Sequence, residues 1–467
     1  MQAGSLVIHS AVSAIHRVPH DHFLTLQMWK ATVRPWGWVW DVIMAHKRVL
    51  LLGPTGVDKA MAIQRVGSFI KKEHGHAIRY VDFEREFLKP LLPKFGHRTF
   101  FAFLMEDSNQ QAVIWKTAWD KCANAFDGEI IILGLHAAYV NTTVGLRCPI
   151  NLPSICESFK PSLVISMIDD VPNMWFRTEK RAEGKEARGR PSFEQLLTAR
   201  RAEQLLGDMV VTHSTGFVRH VALATSNAVH ALANLIIFDA NVTYLSFPIS
   251  APRRMEANGD ERYKEVMGEV NELHHLALGQ MQKDHERSFV TPLAIDEFPM
   301  VKKWEKAQAD WDRQKAAGAA DLAPLVIGYS DIRDRWKQSD LWGSEEVAIL
   351  PPVKDEFGIP AEQIESVAGF VETDIGWRDR RLVLQSQSLA IHNPYDPVKG
   401  VITRGVKTEI EAATAAGVSS FYWQNPKWDP QDYVSTQFAP AGSMGPGASE
   451  ALVQKTESLE ALVQEKL

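Results

Sequence analysis

The sequence predicts an α/β protein made of two parallel-sheet halves, and three observations carry that expectation. Short runs of Val, Ile and Leu recur from Arg48 onward with helical stretches between them. The runs lack strict alternation, as strands buried on both faces and covered by helices do. The first run ends in a glycine turn and a helix start, and a second series of strand-then-loop units begins after residue 240.

Composition narrows the function classes. A chain of 467 residues with 45% apolar and 23% charged residues has the length for two to three domains and the balance of a soluble globular protein. The net charge of -6, with no long basic run, argues against a nucleic-acid partner and favours small molecules. Cys122, Cys148 and Cys156 show neither metal spacing nor an even disulfide framework, which fits a reducing cytoplasm. No basic region leads into an apolar run at the N-terminus, and no stretch reaches the roughly 18 apolar residues of a membrane span, so neither secretion nor a membrane partner is expected.

Residues 1–45 form an N-terminal segment with His16, His20 and His22 and with Trp36, Trp38 and Trp40. Pro19 interrupts any helix that would bring His16 and His20 to one face, so no metal site is assigned. The alternating tryptophans read as a packing surface.

The first half, residues 46–240, opens on RVLLLGPTGVDKAM, a strand, a glycine turn and a helix start. A phosphate-binding loop of the form G-x-x-x-x-G-K-[ST] closes backbone N–H groups on phosphate, neutralises it with lysine and holds magnesium through the hydroxyl. Gly53, Thr55, Gly56 and Lys59 are the candidate nucleotide-binding residues. Asp58 stands where the second motif glycine belongs and Ala60 where the hydroxyl belongs. ATP with Mg2+ is the cofactor such a loop would take; a carboxylate facing the phosphates predicts weak binding or a loop kept as architecture.

Further strands are expected at AIRYVDFE, EIIILGLH, SLVISMIDD and VRHVALAT. Ligands in parallel sheets sit at the carboxyl ends of strands. Asp169-Asp170 ends one of these strands, where it would either hold magnesium through water or begin a turn. The arginine-rich stretch after it, with Arg177, Arg181, Arg188, Arg190, Arg200 and Arg201, reads as a loop and then a helix capped by Ser192 with Gln195. Loop and arginines together resemble the adenylate-kinase-like enzymes, whose lid arginines clamp transferring phosphates. That resemblance implies a nucleotide-binding role for Asp169 and Arg190. A solvated helix with salt bridges to Glu194 and Glu203 is the other reading of the same stretch.

The second half, residues 241–430, runs from VTYLSFPISAPRRM through SFVTPLAIDEF, a lysine- and alanine-rich helix, PLVIGYSD, a polar looped region to residue 365, a helix containing RDRRLVLQSQ, SLAIHNP, the helix GVKTEIEAATAAG and VSSFYWQNP. Within it, Arg404 to Gly417 reads as a glycine turn at Gly405, a first helical turn bearing Glu409, small residues Ala412 and Ala413, and a glycine cap at Gly417. With Arg378-Asp379 upstream, this pattern resembles the nucleoside 2-deoxyribosyltransferase family over about residues 242–426. The resemblance implies Glu409 as the nucleophile at an anomeric carbon and Asp379 as the residue positioning base or sugar. Ser250, Arg253, Asp296, Asn393 and Gly405 are the candidate substrate-binding residues. The aspartate that the family carries before its glycine turn is replaced by Val401, Ile402 and Thr403, which leaves proton delivery unassigned; Asp396 is a substitute. The first-turn glutamate also fits simple complementarity to the helix dipole.

The expected architecture is therefore α/β with two Rossmann-like parallel-sheet domains, kinase-like and then deoxyribosyltransferase-like. The expected substrates are nucleosides, nucleotides or NAD, and related proteins that hydrolyse NAD serve in bacterial antiviral defence. A nucleotide kinase or a non-catalytic nucleotide-sensing scaffold are the alternatives. FAPAGSMGPGAS places a flexible linker at 431–449, and EALVQ, repeated in SEALVQKTESLEALVQEKL, predicts an amphipathic helix at 450–467 with Leu452, Leu459, Leu462, Val463 and Leu467 in one stripe. A helix this short must dock on something, and a homo-oligomer is expected.

Overall fold

The computed structural model describes residues 47–141, 145–182, 191–317, 322–332, 342, 344, 346–351, 353–395, 401–427 and 453–464. The histidine and tryptophan groups before residue 46, Arg188, Arg190, Asp396 and the linker at 431–449 lie outside them. Lys47–Leu467 is one compact unit, in which two five-stranded sheets form two lobes.

The first lobe holds β1 (Lys47–Leu52), β2 (Ile78–Asp82), β3 (Ile130–Gly134), a small hairpin of β4 (Tyr139–Asn141) and β5 (Gly145–Arg147), β6 (Leu163–Ile168) and β7 (Arg219–Ala224). Its sheet has the order β2-β3-β1-β6-β7 and every pairing is parallel. All residues of β3 and β6 are buried, as their unbroken apolar runs require. Strand order reverses at β1, so the crevice beyond its carboxyl end is a topological switch point. There the chain enters α1 (Lys59–His74), while α2 (Val171–Ala182) and α3 (Phe193–His213) follow β6. Ser192 and Gln195 form the expected capping box at the start of α3.

The second lobe holds β8 (Asn241–Ser246), β9 (Arg287–Val290), a separate antiparallel ribbon of β10 (Val326–Gly328) and β11 (Gly358–Pro360), then β12 (Ser388–His392), β13 (Ser419–Trp423) and β14 (Val453–Lys455). The main sheet has the order β14-β13-β12-β8-β9, again all parallel, with its switch point between β8 and β12. PLVIGYSD, expected among the sheet strands, lies outside this sheet: of the three residues of β10 only Ile327 is buried, too little apolar surface for a central strand. The region expected to loop to residue 365 yields earlier, because a helix begins at Ala361.

Between the lobes run α4 (Val229–Phe238) and, later in the chain, α7 (Ala361–Leu384), while α5 (Ser250–Ala257), α6 (Arg262–Lys283) and α8 (Arg404–Ala415) pack within the second lobe. α4 is apolar on nearly all sides and packs on α1 of the first lobe and β9 of the second. The stitching continues along β7, where the Gln385 side chain bonds both the N–H (2.8 Å) and C=O (2.9 Å) of Ala222 and the backbone of 347–350 pairs with 225–229.

At the C-terminus, Val453–Lys455 is an edge strand on β13, not part of a helix, and among the described residues of this segment Leu459–Gln464 (α9) is the helical part. Leu459, Leu462 and Val463 are buried against the chain's own sheet and α6, and Arg287 donates to the Val463 carbonyl at 2.8 Å.

Candidate active site

At the first switch point the glycine loop is closed by its own chain. Gly56 has φ +94°, and a Cβ there would lie 2.3 Å from the Met174 carbonyl oxygen, so only glycine admits α2 this close. Thr55 sits exposed at the tip. The Val57 N–H donates to Pro54 (3.2 Å) and the Lys59 N–H to Val57 (3.0 Å). Asp58 is the N-cap of α1, its carboxylate accepting the Met61 N–H at 3.2 Å. The helix N-terminus thus already carries an anion where a phosphate would sit. The Lys59 ammonium is buried, donates to the Gly53 carbonyl (2.7 Å) and lies 2.9 Å from His136 Nδ1 and 3.2 Å from its Nε2, while His136 Nδ1 is itself 2.7 Å from the Gly53 carbonyl. Burial, then the Lys59 charge, hold His136 well below the ordinary imidazole range, so it is neutral. Phosphate at this loop would have to displace both Asp58 and these bonds.

Asp169 is likewise committed. Its carboxylate accepts from the Asn173 amide (3.0 Å) and pairs with Arg177, which also reaches the Gly56 carbonyl at 3.4 Å. Burial alone would raise its pKa, but Arg177 and Asn173 outweigh that and lower it. Among the described residues no group of three or more His, Cys, Asp or Glu is placed to hold a metal ion. A cleft of about 410 Å3 lies beside the loop, lined by Asp58, Met61, Phe176, Arg177 and Lys180 and by Leu350, Pro351 and residues 353–355.

At the second switch point a buried carboxylate is held by two hydroxyls. Tyr244 and Ser246, two apart on β8 and therefore on one face, donate to the two oxygens of Glu409, Tyr244 Oη at 2.8 Å from Oε1 and Ser246 Oγ to Oε2. Glu409 comes from α8, the helix after β12, and is 8% exposed. Burial, then the charge of Asp379, push its pKa up to about 8 against the two donors. Asp379 is also raised, by burial and by Asp296 and Glu297, against the opposing Arg378. Arg378 donates to Asp379 Oδ1 from Nε (3.0 Å) and Nη2 (2.6 Å), so the ionised member of this carboxyl pair is Asp379 and the proton rests on Glu409.

The other substrate-binding candidates divide. Arg253 and Asp296 meet in a 2.6 Å ion pair next to this cluster. Ser250 is exposed at the start of α5. Asn393, at φ 43°, spends its side chain within the fold: its amide donates to Glu269 and its oxygen accepts the Asn425 N–H at 2.8 Å, tying the ends of β12 and β13 to α6. Gly405 is not a turn. It is the second residue of α8, and a Cβ there would meet nothing within 4 Å, because the chain enters the helix through extended Thr403. Gly417, at φ 69°, does end that helix.

Sequence reasoning missed Tyr244 and Ser246, although polar residues two apart in an otherwise apolar strand are a legible signal. It also assigned Arg200 and Arg201 to a lid or to salt bridges with Glu194 and Glu203. Both instead turn toward the second lobe: Arg200 pairs with Glu297 and Asp374 at 2.5 Å each, and Arg201 with Asp374. Partners more than ninety residues away leave no local trace. No family model matches this chain, and no curated protein matches it.

Proposed function

We propose that the second lobe cleaves, or transfers across, the N-glycosidic bond of a nucleoside, nucleotide or NAD, with Glu409 as nucleophile. The observation that carries this reading is the Glu409–Asp379 carboxyl pair at the β8/β12 switch point, with both oxygens of Glu409 oriented by Tyr244 and Ser246. Two carboxyl groups pushed to different protonation states are the usual equipment for glycosidic chemistry. In the proposed step Glu409 first gives the proton it holds at rest to solvent; the ionised oxygen then bonds the anomeric carbon as the C–N bond breaks, its electron pair leaving on the base nitrogen, which takes a proton from solvent. Water or a second base then displaces the glycosyl ester and restores the carboxylate. Asp379, fixed by Arg378, and the Arg253–Asp296 pair would orient sugar or base.

A nucleotide-kinase reading has less support, because Asp58 caps α1 and Lys59 points back at Gly53 and His136. ATP with Mg2+ would bind the loop weakly. A homo-oligomer would use a surface other than α9, whose apolar face is spent within the chain.

The test is incubation with deoxynucleosides, nucleotides and NAD, with chromatographic detection of free base. Release that disappears in Glu409→Gln, with the circular dichroism spectrum unchanged, supports the reading; release undiminished in that variant ends it.

A further inference from the structure

Among the described residues, the most deeply buried arginine of the first half is attached to the second half's carboxyl cluster. Arg200, 2% exposed, leaves α3 and donates from Nη1 to the backbone carbonyl of Asp169 (2.9 Å), just after β6, and to Glu297 Oε1 (2.5 Å). Its Nη2 donates to Asp374 Oδ2 at 2.5 Å. Glu297 Oε2 in turn lies 3.7 Å from Arg378 Nη1, and Arg378 holds Asp379. Asp374 and Arg378 are four apart on α7 and face the same cluster. A second tie runs alongside: the Asp170 carboxylate accepts the Asp296 N–H at 2.9 Å, and Asp296 pairs with Arg253.

We propose that Arg200 is a positioning residue for the proposed glycosidic reaction: by bonding Glu297 and Asp374 it keeps Arg378 on Asp379, so that the first lobe sets the charge and place of the second lobe's reacting carboxyl pair. This rests on the reading of Glu409 given above. The physical reason is competition for one guanidinium. Glu297 is buried and 1% exposed at its side chain, so it must be neutralised by a nearby cation. With Arg200 in place that demand is met from the first lobe; without it, Glu297 draws Arg378 across the 3.7 Å gap and away from Asp379. Asp379 would then lose its cation and hold a proton more tightly, and the pair as a whole would ionise at higher pH. A guanidinium is needed because three acceptors in different directions must be met at once, which an ammonium on a lysine stem does not reach together.

Two shape-conserving variants test this, Arg200→Lys and Glu297→Gln, each also made with Glu409→Gln. The first readout needs no substrate. The urea-midpoint difference between each protein and its Glu409→Gln partner, followed from pH 5 to 9, reports where the Glu409–Asp379 pair loses its last proton. Arg200→Lys should move that midpoint up by about one pH unit, and Glu297→Gln, which frees Arg378 for Asp379 alone, should not move it up. The second readout is base release from the deoxynucleoside panel: Arg200→Lys should lower kcat about tenfold or more while KM changes less than about twofold. A folded Arg200→Lys protein with the wild-type ionisation midpoint overturns the proposal, and so does failure of both variants to fold, since Arg200 would then be a staple and nothing more. If no protein, wild type included, releases base, the glycosidic reading fails while the midpoint shift still decides the positioning role.

Discussion

Glu409 shows how burial and neighbours decide the work of a single carboxyl group. In the first turns of a helix a glutamate ordinarily favours the dipole and ionises freely. Here burial and Asp379 raise its pKa to about 8, from an ordinary value of 4.5. The folded state therefore keeps a proton that the unfolded chain releases. That contribution to stability is fully present below about pH 4.5 and is lost as pH rises through about 8. Glu409→Gln has no such loss, so its stability relative to wild type should grow from pH 5 to pH 9, by on the order of 3 kcal/mol. Urea unfolding of the two proteins across that range is the check; a constant difference would mean that Glu409 is not raised. By the same logic, base release at low substrate should climb with pH and level off above about 8.

At the scale of elements, the C-terminal strand and helix matter more than their length implies. β14 pairs along β13, and α9 buries Leu459, Leu462 and Val463. An unpaired, apolar sheet edge invites association. Deleting residues 453–467 bares that edge and removes three buried side chains together with the cover they give the sheet, at a cost of about 1.5–3 kcal/mol for each. The truncated protein should lose at least about 5 °C in Tm and associate at concentrations where the full chain does not. Thermal scans with light scattering measure both, and an unchanged Tm would show that these contacts hold nothing together. α8 makes a related point: an Ala-rich helix lies close on the sheet, and its buried face, Val406, Ile410 and Ala413, carries Glu409 inward with it.

At the scale of the whole molecule, the two sheets are not independent. α4 belongs to both, and the lobes are joined by Arg200 to Glu297 and Asp374, by Arg381 to Asp208 at 2.6 Å, and by Gln385 to Ala222. Removing the second lobe strips Arg200 of Glu297 and Asp374 and exposes the apolar surface of α4. Residues 47–240 expressed alone should therefore give a broad, non-cooperative urea transition by circular dichroism. Residues 47–467 should give a single one. A sharp transition in the fragment, with a midpoint equal to that of the longer chain, would contradict this coupling.

The two parallel sheets follow from the residues alone, because runs such as IIILG and LVISMI can only be buried on both faces, and that requirement is local. The capping box at Ser192 and Gln195 and the glycine end of α8 at Gly417 are equally local, set by neighbours within a few residues; the inward face of Glu409 is not, because Tyr244 and Ser246 hold it across 165 and 163 residues. Tertiary structure alone decided how the polar residues were spent. Asp58 became a helix cap, Asp169 and Arg177 paired with each other, Asn393 tied two strand ends, and β10 was left outside the sheet. The joining of Arg200 to Glu297 and Asp374, across 97 and 174 residues, has no local signature. A charged side chain takes whichever opposite charge the fold brings near it, and that choice exists only once the two lobes have packed.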